Sequence, residues 1–249
     1  MTYDVLATSQ TPAIIIYLLD VSASMYQPLG GKRRIDIVGD ALSATLRQMV
    51  FRSTKGRKVS PRYKIAMFAY SDTVFDLMDG FRTIAEVAEF GVPELSPLRT
   101  TDTEKGFKAV EQLLQKNTRE LRECPAPVIC HMTDGEFTGD DPGPIVKRIT
   151  EMSVPDGNVL VENIFLSTGI LRDEVMDVKN WPGILKNTPL TNEYAEKLRG
   201  MSSPIPNSYH DMMRENGYRL NKEALMMFPG TNPELVAMGF QMSAATPIR

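Results

Sequence analysis

Seven apolar residues in a row, Ala13 to Leu19, run directly into Asp20-Val21-Ser22-Ala23-Ser24. A continuous Ile/Leu-rich run of this length reads as a strand buried on both faces, the kind found in parallel sheets covered by helices. The segment carries no basic residues ahead of its apolar stretch and ends in an acid, so it reads as a core strand rather than a leader peptide. Its carboxyl end delivers one carboxylate and two hydroxyls at alternate positions to the edge where open α/β sheets bind ligands. Asp20, Ser22 and Ser24 can converge if the chain curls after the strand, with Val21 and Ala23 turned inward. All three offer hard oxygen donors, which suit Mg²⁺ or Mn²⁺ rather than zinc.

Two further segments repeat the theme. Thr100-Thr101 precedes a helix pattern in which Phe107, Val110, Leu113 and Leu114 form an apolar face. Val128 to Thr133 is a second apolar strand, and it ends in Asp134-Gly135. Three separate strand-end or helix-start loops therefore each present oxygen ligands.

Together these segments resemble the von Willebrand factor A domain family. Its metal-ion-dependent adhesion site is built from D-x-S-x-S, a distant Thr and a later Asp. The matching residues are Asp20, Ser22, Ser24, Thr101 and Asp134. The family often has Gly-Thr at the middle position, whereas this chain has Arg99-Thr100-Thr101, so Thr100 and Thr103 stand as alternatives to Thr101. The resemblance covers roughly Ile14 to Ser167. It implies a three-layer, Rossmann-like α/β sandwich: a mostly parallel central sheet, one antiparallel edge strand, and helices on both faces. It also implies a divalent cation, Mg²⁺ or Mn²⁺, that bridges to an Asp or Glu of a partner protein. The chain resembles the compact intracellular bacterial members, including the tellurite-resistance type, more than adhesion receptors. Such intracellular members act as adaptors beside an ATPase, kinase or phosphatase in stress response or defence.

The element pattern agrees with such a sandwich. Helix periodicity predicts an amphipathic helix from Ile35 to Val50, others at 83–90, 104–116 and 145–152, and a start at Glu193. Strands are expected at Tyr63–Tyr70 and Val159–Leu166, with a hairpin turn at Ser71-Asp72-Thr73 leading to a short edge strand at 74–77. Alternation of strands and helices gives a parallel sheet covered on both faces. A single domain over 1–249 is expected, with a core at about 12–168. Residues 169–249 complete and elaborate it, with a sixth strand at 224–228 and a closing helix at 233–242. Whether this last third packs near the metal edge or simply closes the sheet stays open from sequence.

Composition sets limits. A net charge of −3 argues against nucleic-acid binding through a general basic surface. No apolar run approaches the length of a membrane span. Two cysteines, Cys124 and Cys130, make no disulfide framework, and the cytoplasm is the default compartment. His131 reads as a packed, hydrogen-bonded side chain rather than a metal ligand. The cations Lys55, Arg57, Lys58, Arg62 and Lys64 read as a solvated connection, and the methionine pairs 212–213 and 226–227 as core filling. Glu136, Asp140 and Asp141 could stand behind the metal ligands or merely occupy a solvated loop. The rival reading is a Mg²⁺-dependent phosphoryl-transfer or hydrolytic enzyme using the same acidic site. Against it, Gly30-Gly31-Lys32-Arg33-Arg34 lacks the spacing and hydroxyl of a phosphate-binding loop, and no separate base or nucleophile is evident.

Overall fold

A computed structural model of the chain describes residues 2–91, 93, 95, 96, 98, 101–135 and 139–249. The main sheet contains β1 (Ala13–Asp20), β2 (Tyr63–Tyr70), β3 (Val74–Asp76), β4 (Arg82–Thr83), β5 (Val128–Thr133), β6 (Leu160–Phe165) and β7 (Met227–Pro229). Their spatial order is β7-β6-β5-β1-β2-β3, with β4 also pairing to β2. All pairings are parallel except those of β3 and β4 with β2, which are antiparallel. This is the mostly parallel Rossmann-like sheet with an antiparallel edge that the alternating pattern predicts.

The helices are α1 (Arg34–Ser53), α2 (Ile84–Phe90), α3 (Thr103–Lys116), α4 (Thr118–Leu121), α5 (Gly143–Glu151), α6 (Glu193–Gly200), α7 (Asn207–Glu215) and α8 (Pro233–Ser243). α1 packs on α2 and α8, while α3 packs on α5 and on β1 and β2. The start of α2 follows its local sequence closely. Thr83 accepts the Glu86 N–H while the Glu86 carboxylate accepts the Thr83 N–H, a reciprocal capping box. Every residue of β1 and β5 is buried, as strands covered by helices on both faces require.

The last third closes the sheet: β7 pairs with β6, and α8 covers β5 and β6. The sixth strand is shorter than expected, and α7 was not expected at all. Tyr209, His210 and Met213 form its buried face, and Gly217, at φ +86°, follows its end. The cation-rich connection 54–62 is a small hairpin, Thr54–Lys55 with Lys58–Val59. Met213, Met226 and Met227 are core residues.

Register places the functional edge. Asp20 lies beside Tyr70, Leu19 beside Met132, and Phe165 beside Thr133. The carboxyl ends of β1, β2, β5 and β6 thus finish in one row, with Asp20 and Thr133 side by side at its centre.

Candidate metal centre

Asp20 is the last residue of β1 and fully buried. A carboxylate at a strand end is ordinarily exposed. The sheet extends one residue further than the apolar run, so the carboxylate is enclosed by its neighbours. Each of its oxygens is held. Oδ1 accepts the Ser22 N–H at 2.8 Å, and Oδ2 accepts the Thr133 hydroxyl at 2.7 Å. Thr133 Oγ1 in turn accepts the Gly135 N–H at 3.0 Å. Burial, and next the charge of Asp134, push the Asp20 carboxyl up to about 6.

After Asp20 the chain curls into a short 3₁₀ turn, Ala23–Tyr26. The turn brings Ser22 Oγ and Ser24 Oγ to 2.9 Å of each other. Val21 turns inward as expected, but Ala23 is exposed, because the turn breaks strand alternation.

Asp134 follows β5 and is buried beneath Gly135, whose φ is +100°. A Cβ at Gly135 would lie 2.1 Å from Phe165 Cε2, so the close approach of this turn to β6 needs glycine. Asp134 Oδ2 accepts from Arg34 Nη1 at 2.9 Å, an ion pair whose side chains are 2% and 12% exposed. Asp134 Oδ1 is buried without a hydrogen-bond partner among the described residues.

Thr101 is buried, directly before Asp102, whose carboxylate caps α3 by accepting the Lys105 N–H. The Asp102 N–H donates to Ser71 O, which ties this segment to the end of β2 on the same edge. Thr103 is turned into the core, its hydroxyl 3.5 Å from Tyr70 Oη. Thr100 and Glu136 lie outside the described residues. Asp140 and Asp141 are exposed, and Asp141 caps the following turn by accepting the Gly143 N–H.

The site thus gathers Asp20, Ser22, Ser24 and Asp134, with Thr101 on the same edge. Among the described residues no three His, Cys, Asp or Glu side chains cluster, so a zinc-type ligand set is absent there. Two carboxylates and several hydroxyls, one carboxylate oxygen being unpartnered, form a donor set that fits a hard divalent cation.

Sequence reasoning missed two contributors, Thr133 and Arg34. Thr133 orients Asp20, and its signal was its place just before the strand-end Asp. Arg34 reaches Asp134 across 100 positions of sequence. Beneath the edge, His131 is packed and hydrogen-bonded as expected, and it belongs to a buried chain. Its Nε2 lies 2.8 Å from Tyr70 Oη, and its Nδ1 lies 2.7 Å from Asn163 Oδ1. Asn163 Nδ2 then donates to Ser202 Oγ at 2.9 Å. Since the Asn oxygen can only accept, Nδ1 carries a proton; burial lowers the ring's pKa to about 4, so the imidazole is neutral and Nε2 accepts from the Tyr70 hydroxyl.

Residues 15–136 match the von Willebrand factor type A domain. No curated protein matches the chain. Among solved structures, the PilB minor pilin from Streptococcus sanguinis is similar at a TM-score of 0.56 and 12% identity, over 93% of this chain and 60% of that one. The pilus adhesin SpaC from Lactobacillus rhamnosus GG is similar at 0.58 and 10% identity, over 95% of this chain and 31% of that one. The SpRpn10 VWA domain is similar at 0.50 and 12% identity, over 96% of this chain and all of that one. Identities this low speak to fold alone. This chain spans 60% of the length of the PilB chain and 31% of the SpaC chain.

Proposed function

We propose, on the match of residues 15–136 to the von Willebrand factor type A domain, that the chain is a metal-dependent protein-interaction module. Such domains are usually interaction modules rather than catalysts. In this reading Asp20, Ser22, Ser24, Thr101 and Asp134 hold Mg²⁺ or Mn²⁺, and the ion supplies a positive charge that a partner's Asp or Glu can meet. The observation that carries the reading is the Asp20–Asp134 pair, two buried carboxylates at one sheet edge, with Asp134 Oδ1 lacking any hydrogen-bond partner among the described residues. A buried carboxylate oxygen left bare is costly unless a cation meets it.

The chain's own residues prepare the site. Ser22 N–H and the Thr133 hydroxyl fix the Asp20 carboxylate, and Gly135 N–H fixes Thr133. The setting we propose is a reducing compartment, the cytoplasm, which two buried free thiols suit. There the module would serve as an adaptor in a bacterial stress or defence system, its partner an ATPase, kinase or phosphatase. We further propose that residues 1–249 form one domain, because β7 and α8 of the last third complete the sheet and its cover. No helix among the described residues is long and apolar enough to cross a membrane.

The test is a Mn²⁺ titration of the wild type and Asp20→Ala. One bound ion in the wild type and none in the variant supports the reading. No binding by the folded wild type at millimolar Mn²⁺ overturns it.

A further inference from the structure

We infer that Arg34 is a built-in cationic competitor of the metal ion: it holds Asp134 in the metal-free protein, weakens metal binding, and must give up that hold when the ion enters. This rests on the metal-binding reading above and adds a control to it.

The local sequence makes the arrangement specific. Lys32, Arg33 and Arg34 are consecutive cations at the start of α1. Lys32 pairs outward with Asp40 at 2.9 Å, and Arg33 pairs with Asp36 through two contacts of 2.6 and 2.7 Å. All four of these partners lie toward solvent. Arg34 alone turns inward, to Asp134. Its backbone is fixed by an N–H bond to Gln27 O at 3.0 Å, so the side chain leaves a defined point. Arg34 Nε is buried and has no partner among the described residues, and neither has Asp134 Oδ1. The pair is therefore half satisfied: one of several guanidinium N–H groups meets one of two carboxylate oxygens. A buried pair with spare donors and acceptors on both sides is poorly compensated for its desolvation, which leaves it open to exchange.

Charge decides the direction of the effect. With Arg34 present, the two carboxylates and the guanidinium sum to one net negative charge; without it they sum to two. A dication and a guanidinium that share one carboxylate repel each other at close range in a water-poor site. The contrary effect, in which Arg34 helps by holding Asp134 in one rotamer, is limited to the freezing of a short side chain. Repulsion wins, so removing the charge tightens metal binding. Linkage supplies a second signature. The same removal leaves Asp134 buried and unpaired in the metal-free protein and lowers its stability, and saturating metal restores it.

The experiment is a Mn²⁺ titration of the full chain, by calorimetry or by the signal of the free ion, on wild type, Arg34→Gln, Arg34→Lys and Asp20→Ala. Thermal melts with chelator and with saturating Mn²⁺ accompany it. Arg34→Gln is expected to bind Mn²⁺ roughly tenfold or more tightly than wild type. Arg34→Lys, which keeps the charge, should stay within about threefold of wild type. Arg34→Gln should also melt below wild type with chelator, and level with it or above in Mn²⁺. Arg34→Met replaces Arg34→Gln should the latter not fold. If wild type binds, Asp20→Ala does not, and Arg34→Gln binds no more tightly than wild type, the metal reading stands and the competitor role is overturned. Equal gains in the Gln and Lys variants would overturn it too, since charge would not be the cause. Absence of Mn²⁺ binding in wild type and every Arg34 variant overturns both.

Discussion

His131 should make the fold acid-sensitive by an amount that its burial sets. The ring is fully enclosed between Tyr70 and Phe107, and both its nitrogens are spent on Tyr70 and Asn163. Burial pushes its pKa down to about 4, well below the ordinary 6.5. The folded protein therefore refuses a proton that the unfolded chain accepts. The stabilising contribution is complete above the unfolded value, declines as pH falls through 6.5, and levels off below about 4. Between pH 7 and 5 the loss is about 2 kcal/mol, at about 1.36 kcal/mol for each unit separating the two values.

Asp20 works in the opposite sense in the metal-free protein. Its pKa is raised to about 6, so protonation at falling pH favours the fold. The whole-protein profile therefore mixes the two, and a difference measurement is needed. His131→Gln removes the titrating ring but can keep one of the two hydrogen bonds. At pH 7 it should cost about 1–3 kcal/mol through lost ring packing and one broken bond. By pH 5 that deficit should shrink by about 2 kcal/mol, because only the wild type then carries the protonation penalty. Urea denaturation of both proteins in chelator at pH 7, 6 and 5 measures it. A deficit that stays constant across this range would refute the reasoning, since the imidazole would then not be held neutral by its surroundings.

Gly135→Ala should destabilise by about 2–4 kcal/mol, combining a positive φ with a Cβ set into the Phe165 ring, and should weaken Mn²⁺ binding by shifting Asp134; denaturant melts and metal titration read both. Glu162 is fully buried in β6 with no N–H or O–H donor on either carboxyl oxygen among the described residues and only the weak Cys130 thiol beside it, and burial raises its pKa well above the usual carboxylate value. Glu162→Met should therefore raise stability by about 1–3 kcal/mol, with a gain no smaller at pH 8 than at pH 6, because rising pH drives the wild-type carboxyl toward its disfavoured charged form; thermal melts at both pH values check it. Chelation should lower the melting temperature without unfolding the protein, since β1, β2 and β5 keep their own core; at a free ion level of about 100 times Kd the expected loss is about 2.7 kcal/mol, and complete unfolding would point to a structural metal instead.

Much of this molecule is written in local pattern. The apolar runs at 13–19 and 128–133 announce buried parallel strands, and a strand's carboxyl end is where such sheets present ligands. The spacing Asp20, Ser22, Ser24 and the strand-end Asp134 can therefore be read without coordinates, as can the capped start of α2 at Thr83 and Glu86. α7 was not read from the sequence, because the surrounding prolines and glycines obscured the Tyr209–Met213 spacing and the Asn216-Gly217 ending.

Tertiary structure alone decided how the site is balanced. No periodicity tells which of Lys32, Arg33 and Arg34 turns inward, because that depends on where Asp134 arrives from a strand 100 residues later. The chain from Tyr70 through His131 to Asn163 links β2, β5 and β6, strands distant in sequence that only the sheet brings within reach, β2 and β5 across the intervening β1. Asp20 is buried, not exposed, because β2 and β5 flank it in register. Local sequence sets which groups a strand end offers. Their protonation and pairing depend on burial and on charges from distant segments, and only the packed sheet supplies those.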